Sequence, residues 1–189
     1  MTSGKLFIIT GTSAVGKTTI AKEILLKQPE LMRSITSTTR KMRVNEKDGN
    51  DYHFVSLKKF QNKIKRGEFF EWANNYGNFY GTDKKEILGW LNKGKNVLIV
   101  IDIKGALVIK KILKQKAVTI FILPDSLTQL LKRFKKRPNI TADELNRRFK
   151  TAKIELKQAK LCDFRVHNHE NQIKQTVDKT LKILGKTTK

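Results

Sequence analysis

Cysteine is almost missing from this chain of 189 residues: Cys162 is the only one, so no intrachain disulfide can form and a reducing compartment, the cytoplasm, is the expected setting. No apolar run approaches the roughly 20 residues of a membrane-spanning helix, which leaves no membrane partner to expect. The N-terminus runs into an apolar stretch without the layout of a signal peptide. Internal repeats and low-complexity segments are also lacking, and the length suits one domain with a full core. Acidic residues are scarce, 17 against 40 basic ones, for a net charge of +23. Such a surplus raises the prospect of a polyanion-binding surface. The surplus is mostly lysine, 31 Lys to 9 Arg, scattered over every expected helix rather than gathered in a block. That scatter favours a bland origin in genome composition, and nucleic acid is not expected as the primary partner. Oligomeric state is left open.

What the chain does have is concentrated first in residues 6–20, Leu-Phe-Ile-Ile-Thr-Gly-Thr-Ser-Ala-Val-Gly-Lys-Thr-Thr-Ile. Leu6 to Thr10 has the composition of a strand buried on both faces. Gly11, Thr12, Ser13, Ala14, Val15, Gly16, Lys17 and Thr18 then read Gly-x-x-x-x-Gly-Lys-Thr, the phosphate-binding P-loop. The glycines let successive N–H groups point inward, and the helix opening at Lys17 adds its positive end to the same spot. Lys17 supplies a mobile charge for the β- and γ-phosphates of ATP, and the Thr18 hydroxyl is placed to ligate Mg²⁺.

Further along, helix is expected over 17–27, ended by Gln28-Pro29. Ser34 to Arg43 reads as a polar strand rich in hydroxyls, Asp48-Gly49 as a turn, and Tyr52 to Val55 as a short strand. Ser56 caps a helix to about Arg66 that Gly67 stops. Phe69-Phe70-Glu71-Trp72 is expected to be a strand with a carboxylate among large apolar residues, and Lys84 to Asn92 another helix. Asn96 to Asp102 resembles a Walker B strand, with Gly105 opening the next helix. Ala117 to Leu123 is a third core strand, and Leu127 to Lys136 a helix on which Arg133 and Arg137 share a face. Thr141-Ala-Asp-Glu144 is a capping box, Phe164 to Asn168 the last strand, and Gln172 to Leu184 the closing helix. Strands alternating with helices give an α/β fold on a parallel sheet.

Phosphoryl transfer needs positioning and charge neutralisation, and Lys17, Thr18 and Asp102 supply a donor-phosphate and metal site. Arg40 and Arg43, on one segment, and Arg137 and Arg148, on another, are either solvated surface charges or clamps that close over a phosphate chain and exclude water. Glu71 is either paired in the core or aimed at a ligand. Guanine's adjacent N1–H and N2–H₂ donors match two carboxylate oxygens; adenine's edge does not.

In order and spacing, the P-loop, Ser34-Ile-Thr-Ser-Thr-Thr-Arg-Lys-Met-Arg43, Asp48-Gly-Asn-Asp-Tyr-His-Phe54, Glu68-Phe-Phe-Glu-Trp72 and Gly77-Asn-Phe-Tyr-Gly-Thr82 resemble guanylate kinase over residues 4–184. The resemblance implies a three-layer P-loop kinase fold: a parallel core (4–33 and 95–184), a mixed α/β GMP-binding insert (34–94) and a helical lid near 135–150. It implies the reaction ATP + GMP ⇌ ADP + GDP, with dGMP as a second acceptor and Mg²⁺ required. Arg40, Arg43, Tyr52 and Tyr80 match positions that grip the GMP phosphate. Glu71 matches the guanine-reading carboxylate, assisted by Thr36, Thr82 and Asp102. Arg137 and Arg148 match lid arginines that meet ATP and the transferring group, Asn168 the asparagine near the adenine, and Thr18 with Asp102 the Mg²⁺ site, directly or through water.

The chain departs from the family at three places. Val100-Ile-Asp102-Ile-Lys104-Gly105 stands where Asp-Ile-Asp-x-Gln-Gly is usual, Pro138 follows Arg137 where glycine is common, and Thr36 and Thr82 replace serines. The alternatives to an active kinase are a guanylate-kinase-like binding module, which typically lacks the P-loop lysine, and a small kinase for another phosphorylated acceptor.

Overall fold

A computed structural model describes residues 4–44, 46–75, 77–135 and 140–187. In chain order the elements are β1 (Leu6–Gly11), α1 (Lys17–Lys27), β2 (Met32–Arg33), β3 (Ser37–Thr38), β4 (His53–Phe54), α2 (Leu57–Lys65), β5 (Phe69–Asn75) and β6 (Asn78–Asp83). There follow α3 (Lys84–Asn92), β7 (Val97–Val100), α4 (Ile103–Leu113), β8 (Ala117–Pro124), α5 (Leu127–Lys135), α6 (Ala142–Gln158), β9 (Phe164–Asn168) and α7 (Ile173–Thr187). Five strands form a parallel core sheet in the order β2-β7-β1-β8-β9.

Strand β1 is central and every one of its residues is buried. Side chains alternate across a strand, so it feeds two cores at once. Phe7 and Ile9 pack with Ile20 and Ile24 of α1 and Val177 and Leu184 of α7; Leu6 and Ile8 pack with Ile87 and Leu91 of α3 and Ala106 and Ile109 of α4. Burying each of these isoleucines and leucines contributes roughly 1.5–3 kcal/mol. Because all strands run one way, their carboxyl ends, with the P-loop after β1 and Asp102 after β7, meet at one edge.

A second, mixed sheet has the order β4-β3-β6-β5, and α2 lies against it through Phe60, whose ring centroid is 4.7 Å from that of Phe69. Ser56 caps α2 by accepting from the Lys59 N–H. The Lys63–Asp83 ion pair and the Lys63 ammonium's hydrogen bond to the Ser37 hydroxyl at 3.4 Å tie the helix to the sheet. The hydroxyl-rich stretch 34–43 is not one strand: only Ser37–Thr38 pairs in this sheet, and two-residue β2, unrecognised in the sequence, belongs to the core sheet. Helix α3, expected inside the insert, packs on the core through Ile87 and Leu91. Helix α4 begins at Ile103, not Gly105, because the Asp102 side chain caps it by accepting from the Gly105 N–H.

Candidate active site

The loop from Gly11 to Thr18 wraps the start of α1. Gly11 (φ 143°) passes so close to β8 that a Cβ would lie 2.5 Å from the Ile122 carbonyl oxygen, and Gly16 (φ 103°) is the N-cap of α1. Ala14 also takes a positive φ, 63°, a conformation costly for a residue with a Cβ and held by its surroundings. The Lys17 ammonium folds over its own loop, donating to the Gly11 and Thr12 carbonyls at 2.7 and 2.9 Å. Asn168, which the resemblance places near the adenine, lies beneath the loop. It is buried, donates to the Val15 carbonyl at 2.8 Å and accepts from the Thr176 hydroxyl at 3.0 Å. Its amide is thereby committed to shaping the P-loop.

Two arginines reach the loop from the other side. Arg148 on α6 donates to the Ser13 hydroxyl at 3.5 Å and is held by the Glu144 carboxylate at 2.6 Å. The expected capping box is present in its hydroxyl half, with Thr141 accepting from the Glu144 N–H. Arg133 on α5, noticed in the sequence only for its spacing from Arg137, directs its guanidinium to the Ala14 and Val15 carbonyls at 3.3 and 3.4 Å. Arg137 and Pro138 lie outside the described residues.

Across the cleft, Thr36, Arg43 and Tyr52 line a cavity of about 170 Å³ together with Thr18 and Val100. Arg40 lies over the Tyr52 ring at 5.3 Å from its centroid, and Tyr52 meets Tyr80 edge-on at 6.0 Å. Burial works against the Arg40 charge, but hydrogen bonds to Glu46 and Tyr80 outweigh it and raise its pKa. Glu46, passed over in the sequence, is the ion-pair partner of Arg40 at 2.8 Å.

Glu71 sits deeper. The β5–β6 register shifts between Phe69 and Glu71, which turns Phe70 into the core beside Leu6 and Ile8 and sends Glu71 to Thr82. The Thr82 hydroxyl donates to the Glu71 carboxylate at 2.5 Å. Trp72 does not join this burial; it is 48% exposed. Burial pushes the Glu71 pKa up to about 7, with Asp102 adding to the rise and the Thr82 hydroxyl opposing it. Gly105 is what lets the carboxylate in: a Cβ there would stand 2.8 Å from both Glu71 Cδ and Oε2. Asp102 accepts from the Gly105 N–H at 2.9 Å and from the Asn75 amide at 3.1 Å, joining the hairpin to the core.

Glu155 of α6 feels the charges of this centre. It follows Arg148 by two helical turns, on the same face, and burial pushes it up to about 7 against the pull of Lys17 and Lys104, with Asp102 adding to the rise. Its signal in the sequence is only that i, i+7 spacing from an arginine.

The oxygens present fit a divalent cation that takes most of its ligands from elsewhere than the protein. Among the described residues there is no cluster of three or more acidic, histidine or cysteine side chains, whereas Thr18 opens onto the cavity and Asp102 keeps further lone pairs. A P-loop at the carboxyl edge of a parallel sheet, facing an arginine-and-tyrosine anion pocket, defines a P-loop kinase of small phosphorylated acceptors.

Comparison with known proteins narrows the class. The guanylate kinase family model matches residues 3–187. Guanylate kinases from Clostridioides difficile and Clostridium tetani are 41% and 40% identical to the chain, over 88% and 98% of its length and 81% and 87% of theirs. The crystal structure of guanylate kinase from Anaplasma phagocytophilum superposes with a TM-score of 0.82 at 29% identity, covering 99% of this chain and 87% of that one. The chain belongs to the guanylate kinase family.

Proposed function

We infer that the chain is an ATP:GMP phosphotransferase that moves the γ-phosphoryl group of ATP onto GMP, yielding ADP and GDP, in purine nucleotide metabolism. The observation that carries this reading is one shared cavity: Thr18 of the P-loop, Thr36, Arg43 and Tyr52 line the same space. Donor and acceptor phosphates are thus brought face to face, and the reaction asks mainly for such alignment and for positive charge around the transferred group.

On the donor side the loop from Gly11 to Thr18 cradles the ATP phosphates, with Lys17 moving from its own carbonyls to the phosphate oxygens. Arg148 and Arg133, already against the loop, neutralise charge as it builds on the transferred group, and Arg137 joins them. On the acceptor side Arg40, Arg43, Tyr52 and Tyr80 hold the GMP phosphate. Glu71 accepts from guanine N1–H and N2–H₂, with Thr36, Thr82 and Asp102 completing the base site. These groups read base and phosphate, so dGMP is a second acceptor. Thr18, with Asp102 directly or through water, would hold a magnesium ion, which would supply charge neutralisation to the phosphate oxygens. The second sheet with α2 forms the GMP-binding unit and α5–α6 the lid, and the setting is cytoplasmic.

The deciding experiment is ADP formation from ATP and Mg²⁺ with GMP, dGMP, AMP, UMP, CMP and ribose bisphosphate as acceptors. Turnover with GMP, and dGMP behind it, supports the reading. A folded, ATP-binding protein inert toward GMP would refute it and point to Val100 and Lys104 as the cause.

A further inference from the structure

Within the acceptor pocket one anion is already present, and it belongs to the protein. One Glu46 oxygen accepts from Arg40 Nη2 at 2.8 Å and the other accepts from the Arg43 main-chain N–H at 2.8 Å. Glu46 lines the same cavity as Arg43, Tyr52, Thr36 and Thr18. Two further contacts hold Arg40: Nη1 donates to the Lys41 carbonyl at 2.7 Å, and Tyr80 is a hydrogen-bond partner. The pair is largely withdrawn from water, with side-chain exposures of 12% for Arg40 and 18% for Glu46. An arriving phosphate therefore finds the Nη2 edge of Arg40 already held by a carboxylate. To take that edge and the Arg43 N–H, it must exchange with Glu46.

We propose that Glu46 is a specificity-determining positioning residue, holding the place of the acceptor phosphate until a dianionic phosphate ester anchored by its base displaces it. The inference rests on the acceptor assignment made above. A carboxylate carries one charge and two acceptor oxygens; a phosphate monoester carries close to two charges and three terminal oxygens. The phosphate therefore satisfies Arg40, Arg43 and the two tyrosines together, which Glu46 does not. Displacing Glu46 costs every anion the same, so orthophosphate, which has no other foothold, is kept out. GMP, which docks its base as well, is admitted. Until then the guanidinium stays packed over the Tyr52 and Phe54 rings, at 5.3 and 5.7 Å, in the place where it is needed.

The test is calorimetric titration of GMP and, separately, of orthophosphate into the wild-type chain and Glu46→Gln, with GMP kinetics on both. Glutamine keeps the shape and removes the competing charge. Orthophosphate and GMP should each bind about tenfold more tightly to the variant, the equivalent of one charge-assisted hydrogen bond set free. The KM for GMP should fall in step while kcat and the KM for ATP hold. Glu46→Asp, which keeps the charge but draws it off Arg40 by one methylene, should lie between, and it carries the test if the glutamine variant does not fold. Unchanged or weaker binding of both anions overturns the proposal and leaves Glu46 as a brace for the arginines. A wild-type chain that binds ATP but not GMP overturns the acceptor assignment itself and this inference with it.

Discussion

Changing Glu71 to glutamine and following GMP affinity against pH probes the base site through a group whose charge the fold has already disturbed. Burial pushes Glu71 up to about 7 in the free chain. Guanine offers donors, so only the ionised carboxylate binds well, and the apparent KM for GMP scales as 1 + [H⁺]/Ka. For a pKa of about 7 that factor rises about tenfold from pH 8 to pH 6. The GMP phosphate also titrates near pH 6, but it does so equally in Glu71→Gln, so the ratio of the two KM values isolates Glu71. Stability gives an independent reading. The folded pKa lies above the unfolded one, so this group's contribution is most favourable below about pH 4.5 and declines as pH rises through 7. A rise from 4.5 to about 7 makes the buried ionised carboxylate cost about 3 kcal/mol at pH 8. Glutamine removes that cost, so the variant should melt several degrees above wild type at pH 8, with the gap closing by pH 5. Poorer GMP selectivity with higher stability is the expected pairing. A KM ratio that does not change with pH, or a wild type that melts higher at pH 8, would refute the reasoning.

Lys17→Ala should leave the circular dichroism unchanged and reduce kcat by on the order of 100-fold or more, since one charge on the transferring group is lost; substantial turnover would overturn the P-loop assignment. Gly105→Ala places a methyl 2.8 Å from the Glu71 carboxylate and should raise the KM for GMP about tenfold while leaving the KM for ATP alone, a split that steady-state kinetics reads directly. Val100→Asp puts a carboxylate into the cavity that Thr18 lines and should lower the Mg²⁺ concentration for half-maximal rate. No change would mean that the carboxylate usual in the family is dispensable here.

Local rules carried far where the signal was local. The helix over 17–27 was legible because Gly16 and Gln28-Pro29 bound it, and β1 because a run of buried apolar residues has few other uses. Two-residue β2 was not, since two residues hold no period; its pairing with β7 is set by the sheet. The start of α4 was displaced because the Asp102 side chain caps the helix two residues before the glycine that reads as its beginning. That the Asn168 amide supports the P-loop through Val15 and is held by Thr176 has no local signal, since the three residues lie on separate segments. Arg133 and Glu155 carried no motif, and their approach to the P-loop follows from how α5 and α6 pack.

By itself the sequence determined the phosphate loop, the alternation that makes a parallel sheet, and the family, because each depends on residue types at fixed short spacings. Only the tertiary structure decided that Gly105 makes room for Glu71, that Glu46 occupies Arg40, and that Asp102 joins the hairpin at Asn75 to the core. Glu71 and Gly105, like Asp102 and Asn75, come from segments about thirty residues apart, and Glu46 reaches Arg40 only through a turn of the chain. Whether such side chains meet is settled by which strands pair and in what register, and no local spacing encodes that.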